Sequence, residues 1–148
     1  MDYVINDIED MIIQNRFGLF CIISSKCNSI SLTNIKISDF SKLKEFDIQL
    51  LQSNGLTVVE VDIEMFYFKK RHSLLAFGKG DVSSIYQAFI TNSCLITSNR
   101  SVYSKCIELS IQVIYLDEFM KLIFGDSSKL KRINKLKLIY KRNIKDII

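Results

Sequence analysis

Acidic and other oxygen-bearing side chains follow or flank short apolar runs in this 148-residue sequence. Asp7 comes directly after a first run, and Ser98 and Asn99 come directly after a later one. Asp39 and Asp81 lie on helical patterns next to such runs. In an open α/β sheet, ligands bind beyond the carboxyl ends of the strands. The sequence therefore predicts that three carboxylates and two neutral oxygen side chains converge on one edge of a sheet.

Asp39 is the most informative of the three carboxylates. On a helical wheel of residues 35–46 it falls between Phe46 and Leu43, inside the apolar arc. Because a buried carboxylate without a partner is costly, this position predicts a metal ion, a cation or hydrogen-bond donors. A bond to a neighbouring backbone N–H is the simpler alternative. Asp81 and Asp7 also have a simpler alternative, since each could cap the start of a helix.

The composition excludes several classes of site. Hydrophobic residues make up 48% and charged residues 24% of the chain, as in ordinary soluble domains. The single histidine, His72, rules out a His-rich metal site, and a Ser-His-Asp or Cys-His site would have to use it. The glycine-rich phosphate loops G-x-x-x-x-G-K-[ST] and G-x-G-x-x-G are absent. Carboxylate–metal chemistry is the main catalytic route that these counts leave.

The chain is expected to be cytoplasmic. No apolar run approaches the ~20 residues that cross a bilayer. The acidic N-terminus MDYVINDIED does not have the pattern of a signal peptide. The four cysteines have no C-x-x-C spacing and are interpreted as small apolar core residues in a reducing compartment. They are Cys21, Cys27, Cys94 and Cys106.

Five apolar runs alternate with helical patterns. The strands are predicted at residues 3–6, 29–33, 56–61, 94–97 and 111–115. Helices are predicted at 8–24 with a break around Gly18, and at 35–46, 63–77, 81–91, 100–110 and 117–124. Alternation of this kind indicates βαβ units, and strands that are apolar throughout indicate a sheet covered on both faces. We expect a three-layer α/β/α sandwich with a mainly parallel five-stranded sheet.

Residues 126–148 differ from the rest of the chain. They carry eight basic and two acidic residues, a charge of +6, whereas residues 1–125 carry −2. A three/four-spaced apolar stripe predicts one amphipathic helix. The stripe consists of Leu130, Ile133, Leu136, Tyr140, Ile144 and Ile147. Such a helix could dock on the domain of residues 1–125, bind phosphates, or bind an acidic protein segment. The lack of Trp and Phe anchors argues against a membrane surface.

Two strings resemble the second half of PIN domains. GDVSSIYQA at 80–88 resembles that family's D-x-S/A-x-x-x-x-A helix start, and CLITSNR at 94–100 resembles its strand end L-[LI]-T-x-D. YVIND at 3–7 and SISLTNIKISDF at 29–40 resemble the strands and helix that carry its first two acids. Residues 108–124 resemble its closing helix, strand and helix. The resemblance covers residues 3–124 in the family's order.

This resemblance implies a divalent-metal-dependent ribonuclease, and many PIN domains are toxins of toxin–antitoxin pairs. Asp7, Asp39 and Asp81 match the first three acidic positions and would hold Mg²⁺ or Mn²⁺, ions that prefer oxygen ligands. Asn6 is an alternative for the first position. Asn99 stands where the family has a fourth acid, so it would complete the site without adding charge. RNA is the implied substrate and an antitoxin the implied protein partner, with a homodimer as a further possibility.

Basic side chains could guide RNA to this site, because they neutralise phosphates. The candidates are Lys69, Lys70, Arg71, Arg100, Lys131, Arg132 and Lys135. The neutral Asn99 also supports an alternative function, a catalytically degenerate PIN-like module that binds RNA or a protein.

Two other enzyme or signalling classes are weaker alternatives. A receiver-like phosphoacceptor domain could use Asp7, Asp62 and either Thr97 or Ser98, but no lysine follows the fifth strand before Lys121. A nucleophilic Cys or Ser enzyme would depend on His72. That histidine lies in a polar helical stretch, where a solvated surface position is the simpler interpretation.

Overall fold

Five short strands form one sheet in a computed structural model that describes residues 1–39, 45–125, 130–136 and 138–139. The strands are β1 (Asp2–Ile5), β2 (Ser29–Thr33), β3 (Thr57–Val59), β4 (Cys94–Thr97) and β5 (Val113–Tyr115). Their order is β3-β2-β1-β4-β5, and all four neighbouring pairs run parallel. The predicted parallel five-stranded sheet is confirmed, with β3 and β5 shorter than the apolar runs that contain them.

Helices connect successive strands. They are α1 (Ile8–Arg16), α2 (Phe20–Ser25), α3 (Asn34–Asp39), α4 (Glu45–Ser53), α5 (Glu64–Arg71), α6 (Lys79–Thr91), α7 (Arg100–Glu108) and α8 (Leu116–Phe124). The predicted break at Gly18 is confirmed, since this glycine has a positive φ of 72° between α1 and α2. The helix predicted over 35–46 is described only in part: residues 35–39 lie in α3 and residues 45–46 in α4, and residues 40–44 lie outside the described residues. α4 itself runs on to Ser53, beyond the predicted end.

The central strand β1 sends alternate side chains to opposite faces of the sheet, as the two-residue period of a strand requires. Tyr3 and Ile5 belong to a core with α1, α2, α4 and α8, which form the first helical layer. Val4 belongs to a second core with α5, α6 and α7, which form the second helical layer. Both faces are therefore covered, and the predicted three-layer α/β/α sandwich is confirmed.

The described part of the C-terminal segment is helical over residues 130–136. Leu130 and Ile133 are buried and pack into the core of the first layer, as the apolar stripe predicts. Leu136 is 46% exposed and does not continue the buried stripe. Tyr140, Ile144 and Ile147 lie outside the described residues. The division of the chain into residues 1–125 and 126–148 stays a prediction.

The cysteines are less uniform than predicted. Cys94 and Cys106 are buried and Cys27 is half-buried, but Cys21 is exposed, so its assignment as a core residue is wrong. Its position early in α2 faces solvent, and its thiol donates to the carbonyl of Gly18 over 3.4 Å. Among the described residues, no helix is both long enough and apolar enough to cross a membrane.

Candidate functional site

The strand order reverses at β1, since β2 and β3 lie on one side of it and β4 and β5 on the other. A crevice beyond two such strands is the usual ligand site of open α/β sheets. Asn6 extends the β1–β4 ladder, because its backbone N–H donates to the carbonyl of Ile96 over 2.9 Å. Its side-chain Nδ2 donates to Thr97 Oγ1 over 3.1 Å, and both side chains are buried. Asn6 is thus directed into the sheet.

Asp7 stays at the edge, bonded to the residue that follows β4. Its Oδ2 accepts from the Ser98 backbone N–H over 2.6 Å, and its Oδ1 accepts from the Ser98 hydroxyl over 2.8 Å. It precedes α1 but makes no side-chain capping bond there, so the capping alternative is wrong. Asn6 is buried, whereas Asp7 is only half-buried. Of these two side chains, Asp7 is therefore the one that a ligand at this edge could reach.

Asn99 caps α7. Its Oδ1 accepts from the backbone N–H groups of Ser101 and Val102 over 2.9 and 3.2 Å, and its own backbone N–H donates to Thr97 Oγ1 over 3.1 Å. Thr97 and Asn99 therefore close a strand and start a helix through neutral hydrogen bonds, while Ser98 between them donates to the Asp7 carboxylate. Asn6, Asp7, Thr97, Ser98 and Asn99 form what we term the β1–β4 junction.

Asp39 lies at the end of α3, where it meets the start of α6. Its Oδ2 accepts from the Gly80 backbone N–H over 2.7 Å. The residue is exposed, so the predicted burial in an apolar arc is wrong, whereas the alternative bond to a backbone N–H is confirmed. Phe46, which the wheel placed on the same arc, lies in α4 and is 66% exposed, so this arc does not face the core.

Asp81 pairs with a lysine that the sequence argument did not single out. Lys36 Nζ lies 2.7 Å from Asp81 Oδ1, with 18% and 24% of the two side chains exposed. Asp81 lies in the first turn of α6 but is not its N-cap, which is Gly78. Lys36 precedes Asp39 by three residues, and that spacing places both side chains on one face of α3. Lys36, Asp39, Gly80 and Asp81 form what we term the α3–α6 junction.

Thr33 links the α3–α6 junction to the sheet. Its hydroxyl lies 2.6 Å from the hydroxyl of Ser83 on α6, in a fully buried contact. It also accepts from the Lys36 backbone N–H over 3.0 Å, at the start of α3. The last residue of β2 therefore joins α3 and α6 to the sheet next to the point where Lys36 and Asp81 meet.

The predicted Mg²⁺ or Mn²⁺ ligands are not gathered into one group of three side chains. Within the described ranges no three His, Cys, Asp or Glu side chains are grouped so that they could hold a metal ion. Asp7 is bonded to Ser98, Asp39 to the Gly80 backbone and Asp81 to the ammonium of Lys36. The carboxylates share one end of the sheet, but each of them is bound to a donor of the protein.

The predicted RNA-binding side chains lie on different layers. Lys69, Lys70 and Arg71 end α5 and Arg100 begins α7, both in the second layer. The others, on the helical segment that packs into the first layer, are Lys131, Arg132 and Lys135. All seven are exposed except the half-buried Lys69.

One face of α5 exposes aromatic and basic side chains together, a feature that the sequence argument missed. Phe66 is 50% and Tyr67 58% exposed, and Ile63, immediately before the helix, is 68% exposed. Lys70 follows at the spacing that continues this face, while Met65 and Phe68 are buried beneath it. The signal was present in the sequence as the string IEMFYFKKR, which combines apolar and basic residues at helical spacing.

The two weaker alternatives gain no support. The His72 ring lies against the rings of Phe68 and Phe89, with centroids 4.5 and 5.6 Å away. Burial raises the pKa of the Cys106 thiol to about 12, so it is not a thiolate nucleophile at neutral pH. Asp62, the receiver-like acid, accepts from the Tyr86 hydroxyl over 2.7 Å. Burial and this bond raise the pKa of Tyr86 to about 12.

No family model matches the chain, and no curated protein matches it. Solved structures do. A PilT N-terminus domain protein of the hyperthermophilic archaeon Sulfolobus solfataricus is 20% identical with a TM-score of 0.56, over 86% of this chain and 97% of that one. VapBC2 of Rickettsia felis, bound to a DNA fragment from its promoter, is 13% identical with a TM-score of 0.55, over 78% of this chain and 98% of that one.

Proposed function

The chain has the PIN-domain fold, and we propose that it is an RNA-binding module of that fold whose binding needs no metal ion. The observation that carries this proposal is the exposed face of α5, where Phe66 and Tyr67 stand beside Lys70 and Arg71. Proteins bind single-stranded nucleic acid with cations that follow the backbone and aromatic rings that stack on bases. The α5 face combines both kinds of side chain on one rigid element.

The charges at the carboxyl edge are consistent with binding in the absence of metal. An edge that exposed Asp7, Asp39 and Asp81 without partners would repel phosphates. Lys36 neutralises Asp81, and Asp7 and Asp39 each accept hydrogen bonds from backbone N–H groups. RNA held on α5 would therefore meet a less negative edge than the sequence suggests.

Further cations extend the proposed RNA surface. Arg100, at the start of α7, belongs to the same layer as α5. The +6 charge of residues 126–148 supplies additional phosphate contacts, with Lys131, Arg132 and Lys135 exposed on the opposite layer. Counterion release from such contacts makes binding fall steeply with salt.

A metal-dependent ribonuclease, acting as the toxin of a toxin–antitoxin pair, is the second candidate. Its supporting observation is that Asp7, Asp39 and Asp81 share the carboxyl edge of a PIN fold. Asp7, Asp39 and Asp81 would then be the catalytic and metal-binding side chains, with Asn99 beside them. The VapBC2 structure, which is a complex of two proteins with DNA, supports a protein partner of the antitoxin kind for this candidate.

Fluorescence anisotropy with a labelled single-stranded RNA of mixed sequence tests the proposal. The full chain should bind equally well in EDTA and in MnCl₂, without shortening the RNA. The double variant Lys70→Glu/Arg71→Glu should weaken binding by about tenfold or more and reduce the salt slope by about two. Lys121→Glu is the control for reversing the charge of an exposed lysine, because Lys121 lies on α8 and is not among the proposed RNA-binding residues, and its effect should stay within about twofold.

Two results would contradict the RNA-binding proposal. Binding that disappears in EDTA would show that a metal ion is needed. Cleavage that requires Mn²⁺ and is lost in Asp81→Asn would support the ribonuclease instead. Light scattering on the same samples would distinguish a monomer from the homodimer that the sequence leaves possible.

A further inference from the structure

A cation lies between two helices that each carry an aspartate: Asp39 ends α3, and Asp81 lies in the first turn of α6. That cation is the Lys36 ammonium, 2.7 Å from Asp81 Oδ1. Three-quarters or more of each of these two side chains is buried. Because partial burial reduces the screening of charges by water, this pair is stronger than an exposed one.

The backbone leaves room for the lysine at this point. A Cβ on Gly80 would overlap Asp39 Oδ2 and crowd Lys36 Cδ, so the absence of a side chain lets α3 approach α6. The Gly80 N–H also holds the Asp39 carboxylate over 2.7 Å. Gly80 is therefore the residue of α6 at which α3 comes closest among these contacts, and Lys36, Asp39 and Asp81 lie around it.

We propose that Lys36 takes the place of a divalent cation at the α3–α6 junction and makes the assembly of this edge independent of metal. A divalent ion between two helices neutralises carboxylates and joins the elements that carry them. The Lys36 ammonium neutralises Asp81 with one positive charge and joins α3 to α6. The Gly80 N–H donates the hydrogen bond that holds Asp39. This inference deepens the proposed metal-independent function and rests on it, but it concerns the protein without RNA.

If the charge of Lys36 is removed, the α3–α6 junction should require another cation to neutralise its carboxylates. In Lys36→Met the stem length and apolar contacts are nearly kept, but Asp81 loses its counter-charge. Asp39 and Asp81 would then stand close together without a cation, and Mn²⁺ should bind there and stabilise the fold. The wild-type chain should show neither effect.

Thermal unfolding of the full chain, with MnCl₂ added at constant ionic strength, tests this inference. For Lys36→Met the Tm should rise by roughly 5–10 °C at Mn²⁺ concentrations about 100 times its Kd, whereas the wild-type Tm should not change. Lys105→Met is the matched control, because Lys105 is an ion-paired lysine of similar burial, 3.1 Å from Glu108. Its Tm should not respond to Mn²⁺. Titration calorimetry should detect Mn²⁺ binding in Lys36→Met alone.

Each outcome decides the inference. A wild-type chain that binds Mn²⁺ as tightly as Lys36→Met would overturn it, and so would a folded Lys36→Met that does not respond. If Lys36→Met is unfolded without metal, Mn²⁺ should restore its fold, and failure to do so counts against the inference. Adding Asp81→Asn to Lys36→Met should abolish the response. The proposed RNA binding is measured separately, so failure of this inference can be distinguished from failure of the proposed function.

Discussion

At the β1–β4 junction, one carboxylate and neutral polar side chains are joined by hydrogen bonds across neighbouring strands and without a cation, whereas at the α3–α6 junction a lysine and two aspartates join two helices. The first junction is anchored in the sheet, and the hydrogen bond between Asn6 and Thr97 is buried. The second lies at helix ends, where Asp39 is exposed and the Lys36–Asp81 pair is partly exposed. The same edge of the sheet thus combines two kinds of polar contact.

The two junctions differ in what they contribute to the edge: one sets the positions of side chains, and the other sets the charge. A buried neutral hydrogen bond depends on exact partners, because a donor or acceptor left without one keeps its full desolvation cost. A partly exposed ion pair contributes less and is weakened by salt. We therefore expect the β1–β4 junction to fix the positions of Asp7 and Asn99, and the α3–α6 junction to set the charge that a ligand meets.

Thr97→Val should have the largest effect, a loss of about 2 kcal/mol in the free energy of unfolding. The Thr97 hydroxyl accepts from Asn6 Nδ2 and from the Asn99 backbone N–H, both over 3.1 Å. Valine keeps the shape but leaves both donors without this acceptor, at about 1–3 kcal/mol for each fully buried group. Urea unfolding measures the loss, which should be the same at low and high KCl.

Thr97→Ser is the control for this prediction. Serine keeps the hydroxyl and removes one buried methyl group, so it should cost only about 0.8 kcal/mol. A serine variant less stable than the valine variant would mean that packing, and not the two hydrogen bonds, holds the β1–β4 junction.

Asp81→Asn should have a smaller effect that depends on salt. Loss of the ion pair with Lys36 and of a negative charge in the first turn of α6 should lower stability by about 1 kcal/mol at low ionic strength. In high KCl the loss should fall to about half, because the charges are screened. Urea unfolding at two salt concentrations measures this. A loss that is unchanged by salt would contradict the electrostatic character of the α3–α6 junction.

Strand positions and the acids near them could be predicted from local pattern. A strand covered on both faces is apolar at every position, so runs such as CLIT at 94–97 are recognisable without the rest of the chain. Strand ends in a parallel sheet share one edge, which is why Asp7 and Ser98 were expected to be close. Their bonds of 2.6 and 2.8 Å confirm that expectation.

Contacts between distant helices could not be predicted in this way. Lys36 and Asp81 are 45 residues apart, and nothing in either local string indicates the other. The wheel over 35–46 failed because an apolar arc does not show whether that face meets the core, and both Asp39 and Phe46 are exposed. The charge balance of the site therefore depends on how α3 packs against α6, which the local sequence does not indicate.

Gly80→Ala should have the smallest net effect, within about 0.5 kcal/mol of wild type. The new methyl group displaces the Asp39 carboxylate from the Gly80 N–H, which costs about 1 kcal/mol. Alanine in a helix regains about as much relative to glycine. A double-mutant cycle with Asp39→Ala separates the two contributions, because the methyl group has no carboxylate to displace in that background.

In that cycle Gly80→Ala should become stabilising once Asp39 is alanine, by up to about 1 kcal/mol. Gly78→Ala is the control, because a Cβ at Gly78 meets no atom within 4 Å and its φ is −66°. Its effect should be the same with and without Asp39. If Gly80→Ala is equally neutral in both backgrounds, the Asp39 contact contributes nothing to the α3–α6 junction, and Lys36 joins the two helices alone.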